Sequence, residues 1–167
     1  MKILVTGSAG LIGSHLVDAL LNNHTVIGVD NLSYGSKNNL LQAKKNKNFT
    51  FIEADVKKIS EIFKNQKFDI IYHLASMKKP WGGVIKSNSV IDENYLMTRE
   101  IVNYCNKNQI FLIFTSTSDV YGNSKRFLES EKITIGPPTN ERYSYAMSKL
   151  ISEQYAFNEI AQSSLLA

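Results

Sequence analysis

Five short apolar runs alternate with stretches long enough to cross back over a sheet, and this alternation constrains the fold more than any other feature of the chain. The runs are KILVT (residues 2–6), TVIGVD (25–30), FTFIEA (49–54), DIIYHLA (69–75) and IFLIFTST (110–117). Each is apolar on both faces, as a strand needs to be when helices cover both sides of its sheet. Between them lie LIGSHLVDALLNN (11–23), with Leu11, Leu16, Ala19 and Leu20 at helical spacing, and NLLQAKKN (39–46), read as a short helix. KKISEIFKN (57–65) places Ile59, Ile62 and Phe63 on one helical face, and a long helix is predicted over 89–107. A last helix opens near Arg142 or Tyr143 and carries YAMSKLISEQYAFNEI (145–160). Strands joined by helical crossovers imply an open α/β, doubly wound parallel sheet of about five strands, whose ligand crevice lies beyond the strand carboxyl ends. No internal repeat, low-complexity block or linker divides the chain, so residues 1–167 read as one domain.

Composition removes several classes of function. A chain of 167 residues with 43% hydrophobic content can bury one core. No apolar run approaches the ~18 residues that span a bilayer, and the N-terminus reaches Gly7 before a signal-peptide core forms. The single cysteine, Cys105, fits a reducing compartment and reads as a small apolar helix residue. Together these features read as an intracellular, cytoplasmic protein with no membrane partner. The net charge of +4 comes largely from lysines among asparagines, as in AKKNKN (43–48). Without interleaved aromatics this is a solvated surface rather than a nucleic-acid groove. His15, His24 and His73 fall on separate elements without metal-ligand spacing, so no metal site is predicted.

Gly7, Gly10 and Gly13 sit where the first strand gives way to a helix, and Asp30 closes the second strand. Glycine there lets the backbone turn tightly and approach a pyrophosphate, whose charge the helix N-terminus favours. Gly13, one turn in, lets helix and strand approach closely. A carboxylate in the place of Asp30 accepts both ribose hydroxyls of an adenosine and repels a 2′-phosphate, which favours NAD over NADP. A plain tight turn and a turn-forming acid are the alternative readings.

These residues carry a family resemblance. TGSAGLIG (6–13) resembles the TGxxGxxG fingerprint of the extended short-chain dehydrogenase/reductases, the NAD-dependent nucleotide-sugar epimerases and dehydratases. VDNLSYG (29–35) is similar to the family's adenosine-binding loop, ADV (54–56) to its adenine-side segment, and HLAS (73–76) to the strand end beside the cofactor. ENYLMT (93–98) resembles the N-x-x-G-T segment, with Asn94 kept and Met97 in place of glycine. The resemblance implies a Rossmann-like NAD site drawing on Gly7, Gly10, Leu11, Ile12 and Gly13 in the turn, and on Asp30, Asn31 and Ser33 beyond the second strand. It adds Asp55, Val56, Leu74, Ala75, Ser76, Asn94 and Thr115, together with Tyr145 and Lys149.

The catalytic set lies in the last third. Tyr145 and Lys149 are four apart on one helix and share a face. A free tyrosine, with a pKa of ~10, is a poor base at neutral pH, and a neighbouring ammonium favours its phenolate. Thr117, at the end of the fifth strand, is placed to orient the substrate oxygen against Tyr145. An exposed i,i+4 pair is the alternative. In the family the tyrosine removes a proton from a sugar hydroxyl while hydride leaves the same carbon for NAD, and the keto-sugar is then re-reduced, dehydrated or decarboxylated. STSDVYG (116–122) has Ser118-Asp119 where the dehydratases carry Asp-Glu. That resembles the decarboxylases and their epimerase relatives, with a UDP-sugar as the implied substrate. Asp119 is either an acid/base or an aspartate bonded to backbone amides. Arg142 either meets a sugar acid or phosphate or is a surface arginine at the helix start, and Trp81 either lines the sugar entrance or caps the core edge.

The family continues past the tyrosine helix into a smaller substrate domain. The expectation is therefore an NAD-binding part lacking that C-terminal domain, with a homodimer in the full-length form and an isolated chain that self-associates through the fifth strand and through Ile151, Tyr155 and Phe157. A non-catalytic dinucleotide-binding module and an inert fragment are the competing hypotheses.

Overall fold

The computed structural model describes residues 1–64, 66–78, 87–130 and 132–160. Its five strands, β1 (Lys2–Thr6), β2 (Thr25–Asp30), β3 (Phe49–Glu53), β4 (Ile70–His73) and β5 (Phe111–Phe114), form one sheet in the order β3-β2-β1-β4-β5. All four pairings are parallel. The register sets Thr6 beside Val29 and His73, and His73 beside Phe114. The strand carboxyl ends therefore share one edge of the sheet. The chain winds outward from β1 in one direction through β2 and β3, then crosses to β4 and β5, so the switch point falls between β1 and β4, above the glycine turn.

Alternation along β1 divides the core. Leu4 joins Val29, Ile71, Met97, Ile101 and Leu112 on one face, whereas Ile3 and Val5 join Val17, Leu21, Val26 and Ala43 on the other. The first face is covered by α3 (Ser87–Asn108) and α4 (Ser144–Ile160), which lie along each other, and the second by α1 (Leu11–Leu20). On the β5 side the second face is thinner, and Phe111 and Ile113 are only half-buried.

Several sequence expectations are corrected. The buried face of α1 is Gly13, Ser14 and Val17, while Leu11 and Ala19 are exposed and Leu16 and Leu20 half-buried. The helix lies so close to β1 that small residues occupy the contact and larger ones move to its flanks. Residues 39–46 make no α-helix but belong to two 3-10 turns, Lys37–Leu40 and Ala43–Lys45; a segment this short and asparagine-rich does not offset the cost of helix nucleation. Over 57–64, a 3-10 turn (Val56–Lys58) leads into one α turn, α2 (Ile59–Ile62), which stops where Phe63 turns in to meet the Phe68 ring edge-on at 5.1 Å. The strand read as 110–117 pairs only over Phe111–Phe114, because β4 offers four partners. The last helix is preceded by a 3-10 turn, Glu141–Tyr143, capped by Asn140. Trp81 and the chain end at 161–167 lie outside the described residues.

Candidate functional site

At the switch point the chain builds a cleft of ≈ 270 Å³. Gly7 adopts φ +69°, and a Cβ there would lie 2.8 Å from the Ala75 nitrogen. Only glycine permits that conformation and that approach at once. Gly10 N donates to Gly7 O at 3.1 Å, and Gly10 caps α1 without a side chain, so the first-turn N–H groups of α1 keep no side-chain acceptor. Gly13 lies beneath this turn, where a Cβ would collide with Gly7 O.

Of the residues expected at the cofactor, Gly7, Gly10, Leu11, Asp30, Asn31, Ser33, Val56, Leu74, Ala75 and Ser76 line the cleft. Asp30 does form a turn, since Oδ1 accepts from Leu32 N at 2.8 Å, and Oδ2 accepts from Ala9 N at 3.0 Å. Two bonds fix the carboxylate on the cleft wall and leave acceptor capacity on each oxygen. Ile12, Gly13, Asp55, Asn94, Thr115, Tyr145 and Lys149 stand back from the lining. Asp55 is held by capping, its Oδ1 accepting from Lys57 N at 2.9 Å. Glu93 takes the place on the cleft wall and binds Lys57 Nζ at 2.7 Å. The Glu93 hydrogen bond, with Asp55 adding to it, holds the Lys57 ammonium above the ordinary lysine range. Tyr34 and Gly35, from the VDNLSYG segment, line the cleft as well, and Glu93 and Met97 join them from α3. Met97 is also part of the core, so its side chain fills the cleft floor where the resembling segment has glycine.

The second part of the site is a buried polar frame. Lys149 is 2% exposed, and its Nζ donates to Thr115 O at 2.9 Å. The ammonium stands 4.8 Å from the Phe114 ring centroid and 6.0 Å from that of Tyr145. Burial lowers its pKa to about 8, with Glu153 acting in the opposite sense. A second cation, Lys78, lies 5.2 Å from the Tyr145 centroid and 3.7 Å from Asp119. The tyrosine hydroxyl is 3.4 Å from Ser76 Oγ. Asn94 ties this frame together: Oδ1 accepts from Met77 N at 2.7 Å, while Nδ2 donates to Met77 O at 2.8 Å and to Ser148 Oγ at 2.9 Å. Ser148 in turn donates to Tyr145 O at 2.7 Å. In the sequence the signal for Ser148 is its place three residues after Tyr145, on the same helical face.

His73 completes the frame from below. It is fully buried between the hydroxyls of Thr6 (2.8 Å) and Thr98 (3.4 Å). Burial, with the Lys149 charge adding to it, lowers its pKa to about 3, so the ring is neutral. Its carbonyl accepts from Thr115 Oγ1 at 2.9 Å, which links β4 to the carbonyl that receives Lys149. Cys105 is buried in the core, and burial pushes its thiol up to about 12.

Among the described residues no hydrogen bond joins Thr117 to Tyr145. The Thr117 hydroxyl accepts from Asp119 N at 3.2 Å, capping a 3-10 turn (Ser118–Tyr121). Thr117 opens on a separate groove with Ser116, Leu150 and Phe157. Ser118, Asp119 and Arg142, the three substrate-side candidates, do meet, around a further groove of ≈ 350 Å³ walled by Tyr121 and Phe127. Among the described residues no group of three His, Cys, Asp or Glu side chains could hold a metal ion, and no helix is long and apolar enough to cross a membrane.

The model of the NAD dependent epimerase/dehydratase family matches residues 3–165. An uncharacterised UDP-glucose epimerase of Bacillus subtilis is 33% identical over 92% of this chain and 50% of its own length. UDP-glucuronic acid decarboxylase 6 of Arabidopsis thaliana is 34% identical over 95% of this chain and 46% of its own. The solved UDP-glucose 4-epimerase of Bifidobacterium longum, in complex with NAD+ and UDP, superposes with a TM-score of 0.80 at 28% identity, covering 98% of this chain and 50% of that one. The chain thus spans about half the length of these relatives.

Proposed function

The chain belongs to the NAD dependent epimerase/dehydratase family, and from that premise we propose that it is the cofactor-binding and proton-transfer part of a nucleotide-sugar epimerase or decarboxylase that works through a keto-sugar. The observation that carries this reading is the buried Lys149 beneath a half-buried Tyr145. A module that only binds a dinucleotide has no need to bury an ammonium.

The residues present fit NAD, the family's cofactor. The Gly7–Gly10 turn and the start of α1 would hold the pyrophosphate, and Asp30, with Asn31 and Ser33, the adenosine ribose. NAD, when bound, supplies a reversible hydride acceptor. Tyr145 supplies the base: its oxygen takes the proton of a sugar hydroxyl while the C–H bond of the same carbon breaks. Lys149, fixed by Thr115 O, keeps positive charge beside the phenol, and Asn94 with Ser148 locks the helical turn that carries it. Thr117 is proposed to orient the sugar once substrate displaces its contact with Asp119. Ser118, Asp119 and Arg142 would face the sugar and its charged substituents.

UDP-sugars are the substrate class, since the relatives' names point to them. The epimerase and decarboxylase branches both fit the Ser118-Asp119 pair. The test is Tyr145→Phe in a chain extended to the length of its relatives, assayed on UDP-glucose and UDP-glucuronic acid. The change removes the proton acceptor and keeps the ring, so turnover is expected to fall by about 10²–10⁴-fold. The product identifies the branch. Retention of most activity would overturn the assignment of the base.

A further inference from the structure

We propose that Ser76 is a positioning residue for Tyr145, a hydroxyl that turns its proton toward the phenol oxygen when that oxygen carries negative charge. This rests on the proton-transfer role given to Tyr145 above, but the contact itself is testable without turnover.

Ser76 Oγ lies 3.2 Å from Asn94 Oδ1 and 3.4 Å from Tyr145 Oη. A serine hydroxyl has one proton and can donate to only one of them at a time. The Asn94 carbonyl does not depend on it, because Oδ1 also accepts from Met77 N at the shorter distance of 2.7 Å. The Asn94 amide cannot be turned the other way, since both Nδ2 protons have acceptors in Met77 O and Ser148 Oγ. Asn94 therefore holds Ser76 in place and remains satisfied when the Ser76 proton leaves it.

The choice of acceptor then follows the charge on Tyr145. While Tyr145 keeps its proton, Asn94 Oδ1 is the better and nearer acceptor. Once Tyr145 loses it, the phenolate outcompetes an amide carbonyl, because charge-assisted hydrogen bonds are roughly twice as strong as neutral ones. The 3.4 Å contact is at the long limit of a hydrogen bond, as catalytic contacts often are before substrate is bound. Lys149 and Lys78 also favour the negative oxygen, but both approach the ring rather than the hydroxyl. Among the described residues, Ser76 is the side chain within hydrogen-bond distance of Tyr145 Oη. It also lines the cofactor cleft, so one hydroxyl joins the two parts of the site.

The experiment uses the chain carrying [¹³Cζ]tyrosine, whose ring-carbon resonances report the state of each phenol oxygen. Tyr145→Phe assigns the Tyr145 signal among the eight tyrosines. In alkaline solution, with the phenol ionised, Ser76→Ala is expected to displace that signal and Ser76→Thr to restore it, with the other seven as an internal check that the fold is intact. In the extended chain, Ser76→Ala should lower kcat about tenfold, the worth of one such hydrogen bond, with KM within about twofold and with rescue by Ser76→Thr. A Tyr145 signal unmoved by Ser76→Ala would overturn the proposal. Full turnover in Tyr145→Phe would instead overturn the reading of the base, while the resonances still decide the Ser76 contact.

Discussion

The two ends of this site are built from different materials. On the β1–β2 side the cleft is shaped mainly by backbone: a left-handed glycine and a side-chain-free helix cap, joined by one carboxylate fixed by two N–H groups. On the β4–β5 side the frame is built of side chains, with a neutral buried histidine, a buried ammonium and an asparagine bonded to Ser76, Met77 and Ser148. Backbone binding requires close approach, so its demand is steric. Proton transfer requires charge out of water, so its demand is electrostatic. The first half should therefore fail when bulk is added, and the second should gain stability when charge is removed.

The largest effect is expected from Gly13→Ala. Its Cβ would collide with Gly7 O and lie 2.9 Å from the Ser8 Cα. No flexible side chain stands there to give way, so α1 must back off from β1. Destabilisation of about 3 kcal/mol is expected, read by urea unfolding, with loss of NAD binding by calorimetry. Wild-type stability in this variant would show that the contact between α1 and the turn is looser than its geometry.

Lys149→Met tests the other half, and its sign is opposite. The folded pKa is about 8 against 10.5 for a free lysine, so between those values the unfolded chain binds more protons than the folded one. Stability of the wild type therefore rises as pH increases from about 8 to 10.5, and below pH 8 the full cost of the buried charge is present. Methionine removes that cost but leaves Thr115 O without its donor. The net expectation is a gain of about 1–2 kcal/mol at pH 7, shrinking as the pH is raised to 9.5, alongside loss of turnover. Destabilisation at pH 7 would mean that the ammonium is a structural asset, and the contrast between the two halves would not hold.

The same contrast explains what could be read from the residues alone. Steric demands leave a mark in sequence, because only small residues satisfy them: Gly7, Gly10 and Gly13, with Asp30 closing β2, announced the cleft. The alternation of apolar runs announces a doubly wound parallel sheet of about five strands, while their order comes from the structure. Electrostatic frames leave little mark. Tyr145 and Lys149 are an ordinary i,i+4 pair until Thr115 and Asn94 arrive from distant elements, and Ser148 and Glu93 are unremarkable in a chain this polar. Thr117 lies three residues beyond the end of β5 at Phe114, and its hydroxyl caps the turn Ser118–Tyr121, a local bond that its position after an apolar run does not announce. The buried face of α1 is hidden in the sequence for a steric reason too: apolar spacing marks large residues, whereas close contact selects Gly13 and Ser14.

The smallest effect sharpens the reading of the backbone half at its one charged group. Asp30 lies on the cleft wall with acceptor capacity left on both oxygens. A 2′-phosphate placed there meets a carboxylate that cannot swing aside, because Ala9 N and Leu32 N hold it from two sides. NAD is therefore expected to bind at least tenfold tighter than NADP, which requires only about 1.4 kcal/mol. Asp30→Asn keeps an acceptor for Ala9 N or Leu32 N and removes the charge, so the ratio should fall toward one, chiefly by weaker NAD binding and relieved repulsion of NADP. Calorimetric titration of both dinucleotides into wild type and variant measures it. Because the repulsion is electrostatic, raising the salt concentration should narrow the wild-type ratio and leave that of Asp30→Asn nearly unchanged. Equal affinities in the wild type would reduce Asp30 to the turn-forming acid that its bond to Leu32 N already makes it.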